Sequence, residues 1–324
     1  SFYILYFEEQ MIEQVFAIVG STIAGASVIS NDAVQTLGTF MVSNKKTAWW
    51  KLWIAASLVA VTAILWSWFS YNGDITFGRL DRIPPINIEW YHIMAPAVLL
   101  CLTRVGIPVS TTFLVLSVFS TGAVFGKMLI KSVVGYAVAA VLAYIIWIGV
   151  SKLINERKKI PEKQERIWRG LQWGTTGFLW FTWLSHDMAN IAVFLPRQLD
   201  IFYLSFVFLL VISMLGLVFY EGGGKIQDIV ANKSSTRFVR SATIVDFVYA
   251  GILLIFKEWS NVPMSTTWVF VGLLCGRELA IATWHQRKAK RVLPVVVKDL
   301  LKVFMGLAVS VVLVIVVQAI KGDL

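Results

Sequence analysis

A tripeptide of three hydroxyl residues occurs twice in the chain, each time two residues after a proline. Each copy begins an apolar run that is typical of a helix, so its backbone N–H groups have no partner within the helix. The side-chain hydroxyls add donors at the same helix end, which predicts two uncharged cradles for a tetrahedral oxyanion. The alternative is that these hydroxyls bond back to carbonyls or hold membrane helices together. The six residues are Ser110, Thr111, Thr112, Ser265, Thr266 and Thr267.

Two aspartates, Asp32 and Asp187, recur at the spacing of the tripeptides, since 187 − 32 and 265 − 110 both equal 155. Each closes an apolar stretch, where a lone carboxylate costs roughly 2.5–3.5 kcal/mol and usually marks a functional site. Oxygen ligands suit Na⁺, whereas a carboxylate can instead carry H⁺. The alternative is that each aspartate caps a helix end at the membrane interface. The predicted cation ligands, with Na⁺ at the two aspartates, are Asn31, Asp32, Gln35, Asp187 and Asn190.

Two further polar residues lie in apolar sequence. His186 stands where the first acidic motif has Asn31, and it is a candidate gate or anion donor. A hydrogen-bonded packing role is the favoured alternative for this histidine. Asp246 has no acidic equivalent in the first half of the chain, so structural hydrogen bonding is favoured over cation binding there.

The composition is that of a membrane protein. Hydrophobic residues make up 57% of the chain and charged residues only 15%. A soluble protein of 324 residues needs more polar surface, so we expect an all-α integral membrane protein. The 14 Trp and 9 Tyr suit anchoring at the membrane interfaces. The net charge of +10 is attributed to loops that orient the chain in the lipid bilayer, and nucleic acid is not a predicted partner.

Ten apolar stretches are long enough to enter or cross a bilayer, five on each side of a basic segment. An odd number per half inserts the second half upside down, which predicts two inverted-topology repeats. Short stretches, notably 91–104 and 242–257, predict broken or re-entrant helices at a central site. The predicted domains are the repeat 1–150, the cytoplasmic linker 151–170 and the repeat 171–324. The stretches lie near 15–30, 51–70, 91–104, 107–126, 132–150, 171–189, 201–220, 242–257, 262–282 and 296–320.

The basic residues predict the orientation of the chain. With the linker inside, loops assigned to the cytoplasm hold 20 Lys and Arg, and loops assigned to the outside hold seven. This bias agrees with the positive-inside rule and predicts a multi-pass protein of the plasma or inner cell membrane. The seven outside residues are Arg79, Arg82, Lys127, Lys131, Arg197, Lys257 and Lys321.

These motifs resemble the signatures of the inorganic phosphate transporter (PiT) family, which carries an Asn-Asp motif and a Pro-x-Ser-Thr-Thr motif in each inverted half. The stretches 31–35 and 186–190 match the first signature, and 108–112 and 263–267 match the second. The resemblance covers both halves and is most specific at the paired Ser-Thr-Thr. The sequence differs at Gln35 and His186, where the family favours Asn.

The resemblance implies a homodimeric secondary transporter that carries inorganic phosphate with Na⁺ or H⁺, of which Na⁺ is favoured. It also implies that the six hydroxyl residues bind phosphate and that the acidic motifs bind the cations. A symporter for sulfate or another oxyanion is an alternative, and an anion channel with the same cradles is a further one. An enzyme is not predicted, because the three histidines lack metal-ligand spacing, and no cofactor is predicted.

Overall fold

The structure is a computed structural model that describes residues 2–105, 109–153, 161–223, 239–284 and 293–321. These residues form helices joined by short turns and loops, and none of the described residues lies in a strand. The fold is therefore all-α, as the composition predicted. The helices are α1 (Phe2–Val28), α2 (Val34–Ser43), α3 (Trp49–Ser70), α4 (Met94–Val105), α5 (Gly122–Leu153), α6 (Glu162–Asp187), α7 (Ala189–Ala192), α8 (Ile201–Tyr220), α9 (Val239–Trp259), α10 (Thr266–Trp284) and α11 (Leu293–Lys321).

Six helical segments in the described ranges are long and apolar enough to cross a membrane. Their outer faces carry large apolar side chains, and Leu58, Leu209 and Val312 are examples that lie exposed. An apolar outer surface suits contact with lipid, and the protein is a membrane protein. The segments are Gln10–Ser43, Trp49–Ser70, Gly122–Gly149, Ile201–Tyr220, Val239–Trp259 and Val303–Lys321.

The first of these segments is longer than the sequence predicted. Helix α1 runs into a π-helical turn, Ile29–Ala33, and the chain continues as α2. Asp32 therefore lies inside a continuous helical segment, and the prediction that it closes an apolar stretch is wrong for this half. Single π turns within α-helices are frequent at functional sites. In the second half, Asp187 is the last residue of α6, and α7 follows after one residue.

The chain turns back on itself between residues 90 and 121, a unit that we call the first hairpin. The rings of His92 and Phe119 stack with their centroids 5.1 Å apart, so the two ends of the unit lie side by side. Helix α4 leads into the hairpin, and a π-helical turn, Thr112–Leu116, leads back out of it. The intervening residues 106–108, which include the predicted Pro108, lie outside the described residues.

Helices α9 and α10 form a second hairpin, residues 239–284. The hydroxyl of Tyr249 on α9 donates to the carbonyl of Thr266 at 2.9 Å, and its ring lies 5.6 Å from that of Phe270 on α10. The turn at 260–265 forms the tip of this hairpin. Two apolar stretches of each half therefore pair as a hairpin. Helix α9, Val239–Trp259, is long enough to cross a membrane, so the prediction that 242–257 is too short to span is wrong, and the re-entrant arrangement stays a prediction.

Helix α10 approaches the backbone of α5 closely. A Cβ atom on Gly272 would strike the carbonyl of Tyr136, and one on Gly276 would strike the carbonyl of Ala140. Small residues spaced by four allow membrane helices to pack backbone to backbone. This contact fixes the second hairpin against α5 and so determines where its tip lies.

Two ends of the helical bundle can be distinguished by their contacts. At one end the loops of the two halves meet, where the Leu199 N–H donates to the Gly73 carbonyl at 2.9 Å. At the other end the Asn44 side chain donates to Gln172 on α6 at 3.2 Å. The basic residues predict that this second end faces the cytoplasm, and we call the two the outer and cytoplasmic ends on that basis. Helix α6 already contains 162–170 of the predicted linker, whereas 154–160 lie outside the described residues.

Candidate functional site

The two serines of the tripeptides cap the helical turns at the hairpin tips. The Ser110 hydroxyl accepts from the Phe113 N–H at 3.2 Å, and the Ser265 hydroxyl accepts from the Trp268 N–H at 3.2 Å. Side-chain oxygens in this position satisfy one of the free amides of a helix start. Among the described residues each serine oxygen acts as an acceptor, which leaves its hydroxyl proton for a ligand. Pro263 precedes α10 by three residues and therefore lies before the helix.

Thr111 bridges the carboxylates of the two halves. Its hydroxyl donates to Asp32 Oδ2 at 2.5 Å and lies 3.4 Å from Asp187 Oδ1. The Asn190 amide donates to the same hydroxyl oxygen at 3.1 Å. One threonine from the first hairpin therefore contacts the acidic motifs of α1 and α6 together. The two acidic motifs, 155 residues apart in sequence, belong to a single cluster in space.

Asp32 is surrounded by hydrogen-bond donors. Its Oδ1 accepts from Asn31 Nδ2 at 2.8 Å, from Gln35 Nε2 at 3.1 Å and from the Thr267 hydroxyl at 3.3 Å. Its Oδ2 accepts from Thr111. The donors come from the π turn, from α2 and from both hairpin tips, so this carboxylate joins all of these elements.

Asp187 is less completely bonded. Its Oδ1 accepts from Asn190 Nδ2 at 2.9 Å, but its Oδ2 has no hydrogen-bond partner among the described residues. The side-chain oxygens of Asn31 and Asn190 are likewise buried without a partner in the described part of the chain. Buried oxygens without donors are costly, and a hard cation such as Na⁺ satisfies oxygens of these types. These three oxygens are therefore suitable ligands for the Na⁺ that the sequence predicted.

The two hairpin tips touch each other. The Thr112 hydroxyl donates to the Met264 carbonyl at 3.2 Å, and the rings of Phe113 and Trp268 lie 5.2 Å apart. The carbonyl of Thr266 is held by Tyr249. The predicted pair of cradles thus lies at one junction between the halves, next to both aspartates.

All of the predicted anion-binding and cation-binding residues are buried, with at most 5% of each exposed. The alternative in which the aspartates cap helix ends at the interface does not fit this burial. Two carboxylates in an apolar core repel each other, and a cation between them relieves that repulsion. The site is therefore suited to bind cations together with an anion that accepts from the hydroxyls.

The other two polar residues that the sequence singled out lie apart from the tripeptides. His186 Nε2 is bonded to the Leu253 carbonyl on α9 at 2.8 Å, which matches its packing role better than a role as anion donor. Asp246 accepts from the Thr39 hydroxyl at 2.7 Å and from the Thr176 hydroxyl at 2.5 Å. It links α2, α6 and α9, as expected for structural hydrogen bonding.

Sequence reasoning did not foresee the burial of two residues. Arg79 and Lys131 were assigned to the outside connections, and only 1% and 6% of them are exposed. Both donate to backbone carbonyls of the second hairpin tip. Their spacing in sequence contains no hint of this, since one lies in the loop after α3 and the other on α5.

A solved membrane transporter shares this fold. It is "The sodium-dependent phosphate transporter", which superposes with a TM-score of 0.62 at 19% sequence identity, over 95% of this chain and 99% of that chain. The likeness extends over both halves and shows that this chain has the fold of that transporter. No protein-family model matches the chain, and no curated protein matches it.

Proposed function

We propose that the protein is a secondary active transporter that carries inorganic phosphate across the membrane together with Na⁺. The observation that carries this proposal is the meeting of both Ser-Thr-Thr tripeptides with both aspartates at one buried junction. The tripeptides supply neutral donors for an oxyanion, and the aspartates supply negative oxygens for cations. The fold shared with a sodium-dependent phosphate transporter supports the same function.

Na⁺ is favoured over H⁺ as the coupling ion. The unpartnered oxygens include two amide oxygens, from Asn31 and Asn190, beside the carboxylate oxygen of Asp187. A transported proton needs only the carboxylate, whereas Na⁺ needs several oxygen ligands at once. The site therefore offers more free oxygen ligands than proton coupling requires, as Na⁺ binding needs.

Phosphate is favoured over sulfate by the carboxylates. At neutral pH phosphate retains a proton that a carboxylate can accept, whereas sulfate is fully ionised and is only repelled. Asp32 or Asp187 can accept this hydrogen bond when no cation neutralises its carboxylate. This preference is largest when the cations do not neutralise both aspartates.

Cation and anion binding assist each other in this mechanism. Na⁺ offsets the repulsion between the carboxylates and phosphate, so each ligand raises the affinity of the other by the same factor. The corresponding coupling free energy is typically about 1–3 kcal/mol. Thr111 contacts Asp187 and Asn190 of the second half, and Asp32 accepts from Thr267, so these contacts between the halves must rearrange when the site opens to either side. Equivalent hydrogen bonds at a spacing of 155 residues support an inverted repeat that opens alternately.

The resemblance further implies a homodimer in the cell membrane.

Uptake by purified protein in liposomes tests the function. Radiolabelled phosphate is expected to accumulate above its external concentration with an inward Na⁺ gradient at zero membrane voltage. An inward proton gradient with choline in place of Na⁺ is expected to give little accumulation, and excess sulfate is expected to compete weakly. Phosphate that only equilibrates, whatever the Na⁺ gradient, would indicate an anion channel and would refute coupled transport.

A further inference from the structure

Two basic side chains lie buried beside the tip of the second hairpin. Arg79 belongs to the loop between α3 and α4 at the outer end, and Lys131 belongs to α5. Their side chains are buried even though the loop around Arg79 is at the surface, where Asp81 and Arg82 are exposed. The proposed transport site uses neither of them.

The two cations share one acceptor. Arg79 Nη1 donates to the Ser260 carbonyl at 2.6 Å, and Lys131 Nζ donates to the same oxygen at 2.8 Å. Lys131 Nζ also donates to the Val262 carbonyl at 2.8 Å, and Arg79 Nε donates to the Ser185 carbonyl at 3.2 Å. The two basic groups therefore lie side by side. Their acceptors Ser260 and Val262 lie within five residues of Ser265, and Ser185 lies two residues before Asp187.

The pair makes no direct ion pair in the described part of the chain, although Asp187 and Glu258 are close enough to attract the Arg79 charge. Among the described residues, neither side chain has a carboxylate within ion-pair distance, and the exposed Glu258 is bonded to Lys257 at 2.9 Å. Carbonyl dipoles stabilise a buried cation but bring no opposite charge, so the burial remains costly. Burial lowers the pKa of Arg79 to about 10, which leaves the guanidinium charged at neutral pH.

Several donors of the pair remain free for a ligand. Arg79 Nη2 carries two N–H groups, and this buried nitrogen has no partner in the described part of the chain. In its charged form Lys131 has three N–H groups and uses two of them on carbonyls, and a bound dianion favours this charged form. Adjacent guanidinium and ammonium donors fit the oxygens of a tetrahedral dianion, and they supply the charge that such an anion needs.

We propose that Arg79 Nη2 and Lys131 Nζ form a second oxyanion site, which binds a dianion such as hydrogen phosphate on its way from the outer end to the two tripeptides. The central carboxylates repel an anion that arrives without Na⁺, whereas this pair attracts it and raises its local concentration. Binding of the dianion follows from the pair itself; its use in uptake rests on the proposed function. The site accepts sulfate as readily as phosphate, because it offers donors and no acceptor for a proton.

Equilibrium binding in Na⁺-free choline buffer tests the site separately from transport. Central binding needs Na⁺, so the wild-type protein is expected to bind radiolabelled phosphate there only through Arg79 and Lys131. Arg79→Gln and Lys131→Gln are each expected to weaken this binding at least about tenfold, since each removes a charged donor. Arg82→Gln, in the same loop but exposed, is the matched control and is expected to bind normally. Unlabelled sulfate is expected to displace the phosphate.

Uptake kinetics then test the role in transport. Each Gln variant is expected to raise the KM for external phosphate about tenfold, with the maximal rate and the Na⁺ dependence within about twofold of wild type. A purely structural pair would instead lower the maximal rate and the melting temperature and leave phosphate binding in choline buffer unchanged, which would overturn the proposal. If Arg79→Gln does not fold, Arg79→Lys replaces it, because this variant keeps the charge. In that case, loss of phosphate binding in Lys131→Gln alone still supports the site. A protein that binds phosphate in choline buffer but never accumulates it would refute the proposed function and leave this site standing.

Discussion

The acidic motifs of the two halves are similar in sequence but differ in their surroundings. Asp32 accepts from four side chains that belong to the π turn, α2 and both hairpin tips. Asp187 keeps one oxygen without a donor in the described residues, close in sequence to Asn190, whose side-chain oxygen is also unpartnered. Both aspartates are fully buried, so burial does not explain the difference.

This difference suggests a division of labour between the halves. A carboxylate that already holds four donors orients the hydroxyls of the hairpin tips, and a cation reaches it only if some donors turn away. A carboxylate with a free oxygen can bind a cation without such rearrangement. We therefore expect Asp187 to contribute mainly to Na⁺ binding, and Asp32 to contribute to phosphate binding as well.

The largest effect is expected for the aspartates. Asp187→Asn removes the charge at the free oxygen and is expected to raise the half-saturating Na⁺ concentration at least about 100-fold, equivalent to about 2.7 kcal/mol. Asp32→Asn is expected to raise both that concentration and the KM for phosphate. Uptake titrated with Na⁺ at several phosphate concentrations measures both quantities. Equal effects of the two variants on both constants would contradict the division of labour.

Thr111 is expected to matter more than its counterpart Thr266. Thr111→Val keeps the shape of the side chain but removes the hydroxyl that bridges Asp32, Asp187 and Asn190. We expect kcat/KM for phosphate to fall about 10- to 100-fold, as for a hydrogen bond to a charged group. Thr266→Val is expected to cost less than Thr111→Val in the same uptake assay. A larger loss with Thr266→Val would reverse the comparison.

His186→Asn makes the second acidic motif like the first. The bond from His186 Nε2 to the Leu253 carbonyl is lost, so the free energy of unfolding is expected to fall by about 1 kcal/mol. Thermal melting of the purified protein measures this loss. The dependence of uptake on pH is expected to stay that of wild type, and a shifted pH profile would show that the histidine acts as a gate after all.

The smallest effect is expected where the halves differ by one methylene. In the wild type, Gln35 Nε2 donates to Asp32 at 3.1 Å. Gln35→Asn places the same residue type in both motifs, and its shorter side chain reaches Asp32 less well. Because Asp32 keeps three other donors, we expect the half-saturating Na⁺ concentration to change by only about two- to threefold. Asn190→Gln is the reciprocal variant, and its effect is expected to be larger since Asp187 has fewer donors. Identical responses would indicate that the two environments are equivalent in the transporting protein.

Much of the site could be predicted because it depends on residue type and spacing. Hydroxyls next to prolines and carboxylates in apolar stretches are rare enough that their recurrence after 155 residues indicated duplication and a shared site. The stretches 91–104 and 242–257 were expected to be re-entrant elements; each pairs with its neighbour as a hairpin, but α9 is long enough to cross a membrane. These inferences need only local rules about which residues the membrane tolerates.

Other features could not be predicted from residue type. Nothing in the sequence distinguishes Thr111 from Thr112, yet Thr111 bridges the two aspartates and Thr112 bonds a carbonyl. The π turn that places Asp32 inside a continuous helical segment was not predicted either. The burial of Arg79 and Lys131 was not predicted either, because it depends on which distant segments pack over each residue.

The sequence by itself determined the membrane environment, the helical fold and the candidate residues that we propose bind an anion with cations. Only the tertiary structure decided which oxygens are paired, which stay free, and that two cations lie beside the second hairpin tip. The physical reason is that hydropathy and residue type act locally along the chain, because each segment has its own free energy of insertion into the membrane. Hydrogen-bond partners and buried charges are instead set by contacts between segments up to 235 residues apart, such as Asp32 with Thr267.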